Sequence, residues 1–200
     1  MFGDPVTNPM GWETVTLSNV CKKITDGTHF SPQSFNEGEY KYITAKNIKT
    51  DGFDFSSLTY INELAHREIY DRCNPEYGDV LYIKDGVTTG IAQINSLYEE
   101  FSLLSSVALL KPNCELISSY YLRDVLNNPS MYLQIRANMG GAAITRLTVA
   151  KIKVICIPLP PLALQNRFAD IVKQTDKTKF VLRKAVQIPS CLLQLPTEGF

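Results

Sequence analysis

His29 and His66 are the only histidines in the chain. Neither stands in an H-E-x-x-H or H-x-E setting, the arrangements that aim an imidazole and a carboxylate at one metal. G-x-S-x-G, a P-loop and G-x-G-x-x-G do not occur. "DGVTTG" (residues 85–90) looks like a phosphate loop but lacks the lysine and the following helix that make such loops work. It reads as a hairpin turn. Asp79 and Asp85 flank a strand-like run and would be the one candidate metal pair; a solvated strand end and a turn aspartate explain them more simply. Cys21, Cys73, Cys114, Cys156 and Cys191 are odd in number, widely spaced and without C-x-x-C. That pattern argues against a disulfide framework and a structural zinc, and most of the five are expected to be buried small hydrophobes in a reducing cytoplasm. No catalytic set, no metal and no cofactor is expected.

What the residue types do suit is contact with nucleic acid. "GTHF" presents Thr28 and His29 beside an aromatic, and "TAKNIK" presents Lys46, Asn47 and Lys49. "KDGVTTG" presents Lys84, Thr88 and Thr89, and "GGAAITR" presents backbone amides at Gly141 together with Arg146. Asn pairs bidentately with adenine, and Lys or Arg reaches guanine or phosphate. Each loop alone equally fits an ordinary turn; on one face, together, they would clamp phosphates and read bases.

Charge distribution supports that idea more than total charge does. Twenty basic and twenty acidic residues cancel. Residues 50–100 carry ten acids against three bases, whereas from Val125 to Ala169 there is no Asp or Glu but there are five bases. The chain has an acidic middle and basic flanks. Hydrophobic content of 44% is that of a globular protein. No apolar run approaches the ~20 residues that span a bilayer, and the N-terminus lacks a leader pattern.

The elements that must position these loops are short. "YKYITAKNIK" alternates as a strand. "INELAHREIYDRC" has helical spacing at Ile61, Leu64, Ala65 and Ile69, with Asn62 as a cap. "GDVLYIKDG" and "GIAQIN" form a strand pair, and "LLSSVALLKP" reads as one nearly continuous buried strand. Helices are expected over about 61–73 and 118–137, and "VAKIKVICIP" is a short helix or a strand. Then come three prolines within "IPLPPL", and after them Leu164, Phe168, Ile171, Thr175, Thr178, Leu182 and Ala185 repeat at spacings of 4 and 3 until Pro189. That is a heptad seam, which seeks a partner helix. The expected fold class is α+β: a globular domain at 1–156 with a twisted, mainly antiparallel sheet, a stiff elbow at 157–161, a protruding helix at 162–188 and an irregular tail at 189–200.

In this order "WETVTLSNVCKKITDGTHFSP", "YKYITAKNIK", "GDVLYIKDG", "LSSVALLKP", "YYLRDVLNN" and "ITRLTVAKIKVICIPLPPLALQNRFADIV" resemble the specificity subunit of Type I restriction–modification enzymes. The resemblance runs from about Trp12 to about Ala185 and covers one target recognition domain and one spacer helix. It implies a non-catalytic cytoplasmic subunit that reads a half-site in double-stranded DNA. Its helix would set the distance between half-sites, dock methyltransferase subunits and, through them, restriction subunits, and allow self-association. Two departures stand out: Ala163-Leu164-Gln165 lacks the acidic residue common before the glutamine, and "VQIPSCLLQLPTEGF" is broken by Pro189 and Pro196. The second motivates an alternative, a protein-only adaptor or half-subunit remnant that binds partners through its helix without reading DNA.

Overall fold

The structure is a computed structural model. It describes residues 1–137 and 146–186, the side chains of 179–186 excepted. Eleven strands and six helices follow in chain order: β1 (Thr14–Thr16), α1 (Leu17–Val20), β2 (Cys21–Asp26), β3 (Tyr40–Ile43), β4 (Ile48–Lys49), β5 (Gly52–Phe53), β6 (Thr59–Ile61), α2 (Glu63–Tyr70), β7 (Val80–Ile83), β8 (Ala92–Ile94), β9 (Phe101–Leu103), β10 (Val107–Pro112), α3 (Ser119–Leu126), α4 (Pro129–Ala137), α5 (Val149–Lys153), β11 (Cys156–Pro158) and α6 (Leu162–Val186). These counts concern the described residues.

Two sheets stack between helices. The larger is antiparallel, in the order β2-β10-β7-β8. The smaller, β6-β3-β9, pairs β3 with β9 in parallel. Period-two alternation explains how each strand serves two layers. Val80 and Tyr82 of β7, with Ala108 and Leu110 of β10, pack toward α1, α3, α4 and α5. Their alternates Leu81, Ile83, Val107 and Leu109 pack toward Ile43, Phe101 and Leu103 of the smaller sheet. Strands buried on both faces carry unbroken apolar runs, as "VLYI" and "VALL" do.

The expected α+β class and the mainly antiparallel sheet are present. So are the helices near 61–73 and 118–137, and Asn62 caps α2 by accepting from the Ala65 amide at 2.9 Å. "VAKIKVICIP" is both alternatives in turn, α5 and then β11. Three expectations need correction. "LLSSVALLKP" is not one strand: Leu104–Ser106 break it, β9 joining the smaller sheet and β10 the larger. Leu64 does not belong to the inner face of α2. It is 81% exposed, and His66 is buried instead. The His66 ring stacks on Tyr40 at 3.9 Å and hydrogen-bonds Ser102 at 2.9 Å, so a polar residue closes the helix–sheet contact. Cys114 and Cys156 are exposed, while Cys73 is buried.

Past β11 the elbow is fastened on every side. β1 pairs with β11, Thr14 opposite Pro158. The Leu159 amide donates to Glu13 O at 2.8 Å, and the Tyr121 hydroxyl donates to Pro158 O at 2.7 Å. Gln165, fully buried, accepts from the Ser118 amide at 2.9 Å and donates to Leu116 O at 3.2 Å and Pro160 O at 2.8 Å. Three prolines supply rigid φ angles, and these bonds turn that local stiffness into a fixed attitude of α6 toward α3.

The helix does leave at Leu162, and its 25 residues extend about 37 Å. Its seam is split. Leu164 and Phe168 are half-buried on the domain, Phe168 edge-on to Phe2 with centroids 5.4 Å apart. Ile171, Thr175 and Thr178 are exposed, and each threonine hydroxyl donates to the carbonyl four residues back. The side chains of Leu182 and Ala185 lie outside the described residues, as do Gly141, Pro189 and the tail at 189–200. Among the described residues the seam is exposed from Ile171 to Thr178, because the first turns already cover the domain.

Candidate nucleic-acid interface

Four connections meet at one end of the stacked sheets, and strand direction puts them there. β2 ends opposite the start of β10, with Asp26 beside Ala108, and β7 ends at the same level, with Ile83 beside Val107. β3 and β9 run parallel and finish together, Ile43 beside Leu103. The segments leaving these ends, 27–30, 44–47, 84–91 and 104–106, therefore crowd one edge.

The turn at Leu104–Ser106 binds them together. Thr28 N donates to Leu103 O at 2.8 Å, and Ser105 N donates to Thr28 O at 2.8 Å. Leu104 N donates to Ile43 O at 3.0 Å, and Ala45 N to Ser106 Oγ at 3.2 Å. Lys84 N donates to Ser106 O at 2.9 Å. Gly27 is required here, because a Cβ would overlap the Leu103 carbonyl. Arg146 joins the group through a bridge to Asp85 and an ion pair at 3.5 Å. All four sequence loops thus converge, as far as their described residues go.

Burial sorts the candidate residues into two sets. Thr28, Asn47, Lys84 and Thr89 are at most 3% exposed. Asn47 is committed to its own turn: Oδ1 accepts from Thr44 N at 2.9 Å, and Nδ2 donates to Asp54 O at 3.1 Å. It holds the loop and does not present an amide to adenine. The Thr89 hydroxyl donates to Gly86 O at 2.6 Å. Lys84 sits 3.2 Å from Asp26 Oδ2 beneath the surface. These four support the face and do not form it, since a polar group without water access must spend its bonds internally. His29, Lys46, Lys49, Thr88 and Arg146 are exposed. Asp79 and Asp85 flank β7 at opposite ends; Asp79 takes Lys111 at 2.8 Å, so the two do not pair.

Asp26 is the electrostatic anchor. Burial pushes its carboxyl up, but bonds from Lys84 and Arg72 and the charge of His29 outweigh that and hold it below the ordinary carboxylate range. Arg72 Nη1 is 3.2 Å from Asp26, and Arg72 also donates to Gly27 O. One buried carboxylate thus holds Lys84 and Arg72 and meets the exposed His29 ring at 3.0 Å, tying down the 27–30 loop. At the surface, Lys49 pairs with Asp54 at 3.7 Å and Arg146 with Asp85 at 3.5 Å. Such exposed pairs contribute only about 0.2–1 kcal/mol, so a phosphate can take either cation at little cost. Among the described residues, Lys46 has no ion-pair partner.

Three further residues build the face. Ser106 is the hub of the convergence; the serine pair interrupting an apolar run was the available signal. Arg72 lies just past α2, with nothing in its local pattern to mark it. Arg136 of α4 donates to Thr89 O at 2.9 Å and stiffens the 84–91 loop.

The chain is 28% identical over 189 residues to the Type I restriction enzyme StySPI specificity subunit of Salmonella potsdam, covering 90% of this chain and 40% of that one. It is 25% identical over 189 residues to the putative type I restriction enzyme MjaX specificity subunit of Methanocaldococcus jannaschii, covering 90% and 43%. Its fold matches the crystal structure of the HsdS subunit from Thermoanaerobacter tengcongensis with a TM-score of 0.56 at 21% identity, over 91% of this chain and 41% of that chain. The chain spans about two fifths of the length of these relatives. The family description "Type I restriction modification DNA specificity domain" matches residues 9–189. With the ordered motifs, the stacked sheets and the fastened elbow all lying within that span, the chain belongs to the Type I restriction modification DNA specificity domain family.

Proposed function

We propose that this chain is a non-catalytic DNA-reading unit of a Type I restriction–modification assembly, recognising one half of a split site in double-stranded DNA. Residues 1–156 act as the recognition domain, 157–161 as the elbow and 162–188 as the spacer helix. One observation carries the reading: three loops from separate parts of the chain converge on the Leu104–Ser106 turn, Arg146 joins them through Asp85, and His29, Lys46, Thr88 and Arg146 are exposed there. The exposed helix face over Ile171–Thr178 suits docking to methyltransferase subunits, which would bring restriction subunits indirectly, or to a second copy of this chain. The relatives, which are named as restriction-enzyme specificity subunits, support the same assignment. Among the described residues, no helix is long and apolar enough to cross a membrane, which is compatible with a cytoplasmic complex.

The test is a methylation-site survey on DNA exposed to this chain with its methyltransferase subunits, followed by anisotropy titration on the duplex so identified. One asymmetric half-site should emerge. With three phosphate contacts, affinity should fall about 40-fold between 50 and 200 mM salt. Duplex binding without sequence preference, or none at low salt with the methyltransferase present, refutes the reading. The exposed Ile171–Thr178 face also fits a protein-only adaptor. Charge reversal at Lys46, Lys49 and Arg146 separates the two, since an adaptor loses nothing on DNA.

A further inference from the structure

The β7–β8 connection ends in a feature that the fold does not explain. Gly86 to Thr89 form a β-turn, closed by Thr89 N donating to Gly86 O at 3.2 Å, with Val87 and Thr88 at its two central positions. Val87 is 89% exposed. A single exposed apolar side chain is ordinary; what distinguishes Val87 is how strongly its position is determined.

The turn is held from every side. Below it, Gly90 N donates to Ile83 O and Ile83 N donates to Ile91 O, both at 2.8 Å. Arg136 Nη1 reaches Val87 O at 3.3 Å and Thr89 O at 2.9 Å, with its guanidinium over the Tyr132 ring. Gly90 lies against that same ring, with φ +105° and no room for a Cβ. On the other flank, Leu147 N donates to Lys84 O at 2.7 Å, and Asp85 pairs with Arg146. A loop braced in this way has already met the entropy cost of ordering, and it presents two methyl groups on a β-branched stem with a stiff χ1. The exposed cations Arg146, tied to Asp85, and Lys46, next to the Ala45 bonded to Ser106, stand on the same edge.

We propose that Val87 is a base-reading residue that recognises a thymine by apolar contact with its C5-methyl group in the major groove. The inference rests on the proposed DNA-reading function and adds a residue and a base to it. A methyl group is the one apolar feature on a base edge, and it faces only the major groove. Phosphates repel an apolar side chain, and sugar C–H groups are the same at every base pair, so only the thymine methyl lets a valine discriminate sequence.

The experiment is a double-mutant cycle on the half-site from the methylation survey, with the chain bound to its methyltransferase subunits. Wild type and Val87→Ser are titrated against the native duplex and against duplexes in which single thymines are replaced by uracil. Uracil deletes only the methyl group. At one position wild type should lose roughly four-fold in affinity, the equivalent of one buried methyl. Val87→Ser should lose a similar factor on the native duplex and nothing further on that uracil duplex. Val87→Thr, which keeps one methyl, should fall between. Additive losses, or a Val87→Ser affinity equal to wild type, overturn the inference and leave DNA reading intact. So does a half-site composed only of G·C pairs. Absence of any sequence-specific binding by wild type overturns the proposed function and the inference together. Because Val87 is exposed and its carbonyl, not its side chain, is braced, folding is not at stake.

Discussion

Gln165→Met tests the elbow most directly. Met has nearly the volume of Gln and a comparable helix propensity, so the substitution removes hydrogen bonds without opening a cavity or weakening the helix. In the wild type the side chain is completely buried, and its three bonds tie residues 116, 118 and 160 to α6. A typical internal bond contributes about 1 kcal/mol net. Three of them put the loss near 3 kcal/mol, and the stranded Ser118 amide and two carbonyls act in the same direction. For a domain of this size, 1 kcal/mol moves Tm by about 2–4 °C, so a fall of about 6–12 °C is expected. Urea titration followed by far-ultraviolet circular dichroism gives the free energy, and Trp12, the only tryptophan, reports the region next to β1. Coincident transitions would show that helix and domain unfold as one unit. A loss below about 1 kcal/mol with unchanged cooperativity would refute the argument, because it would mean that water substitutes freely at the elbow.

Three further outcomes follow from the interface. Asp26→Asn should lower stability at neutral pH and flatten the acid limb of the stability profile. The folded carboxyl titrates below its unfolded value, so its contribution is full above the unfolded pKa and is lost as pH falls through the folded one. Denaturant titrations from pH 7 to pH 3 check this, and an unchanged acid slope contradicts it. Asn47→Ala should cost about 2 kcal/mol of stability through the loss of its bonds to Thr44 and Asp54; unaltered melting would return Asn47 to the list of base readers. Lys46→Ala should weaken all duplexes about equally and reduce the salt slope by about 0.9, measured by anisotropy across salt concentrations; relaxed specificity at one base pair instead would make it a base reader.

Local signals were legible where the chain's own period decides the outcome. The Asn62 cap, the two helices after Ile117, the strand pair around "DGVTTG" and the start of α6 after the prolines all follow from spacing and turn chemistry within a few residues. The order of motifs also carried the family resemblance. The site was legible only as a set of loops. Thr28, Asn47, Lys84 and Thr89 look like Lys46 or Thr88 in sequence, yet they face inward. Nothing local distinguishes them, because burial depends on which strand lies alongside.

The α+β class, the loops rich in Gly, Thr and Lys, and the place where a rigid turn launches a helix are set by the chain's local pattern, because propensity, period and proline geometry act over neighbouring residues. Tertiary structure alone decided that Leu104–Ser106 is the hub, that Asp26 gathers Lys84, Arg72 and His29, and that α6 spends its first turns on its own domain. These depend on the parallel pairing of β3 with β9 and the antiparallel pairing of β2 with β10, contacts between residues some sixty to ninety positions apart. The free energy of such pairings comes from surface buried across the fold, and no short window of sequence carries it.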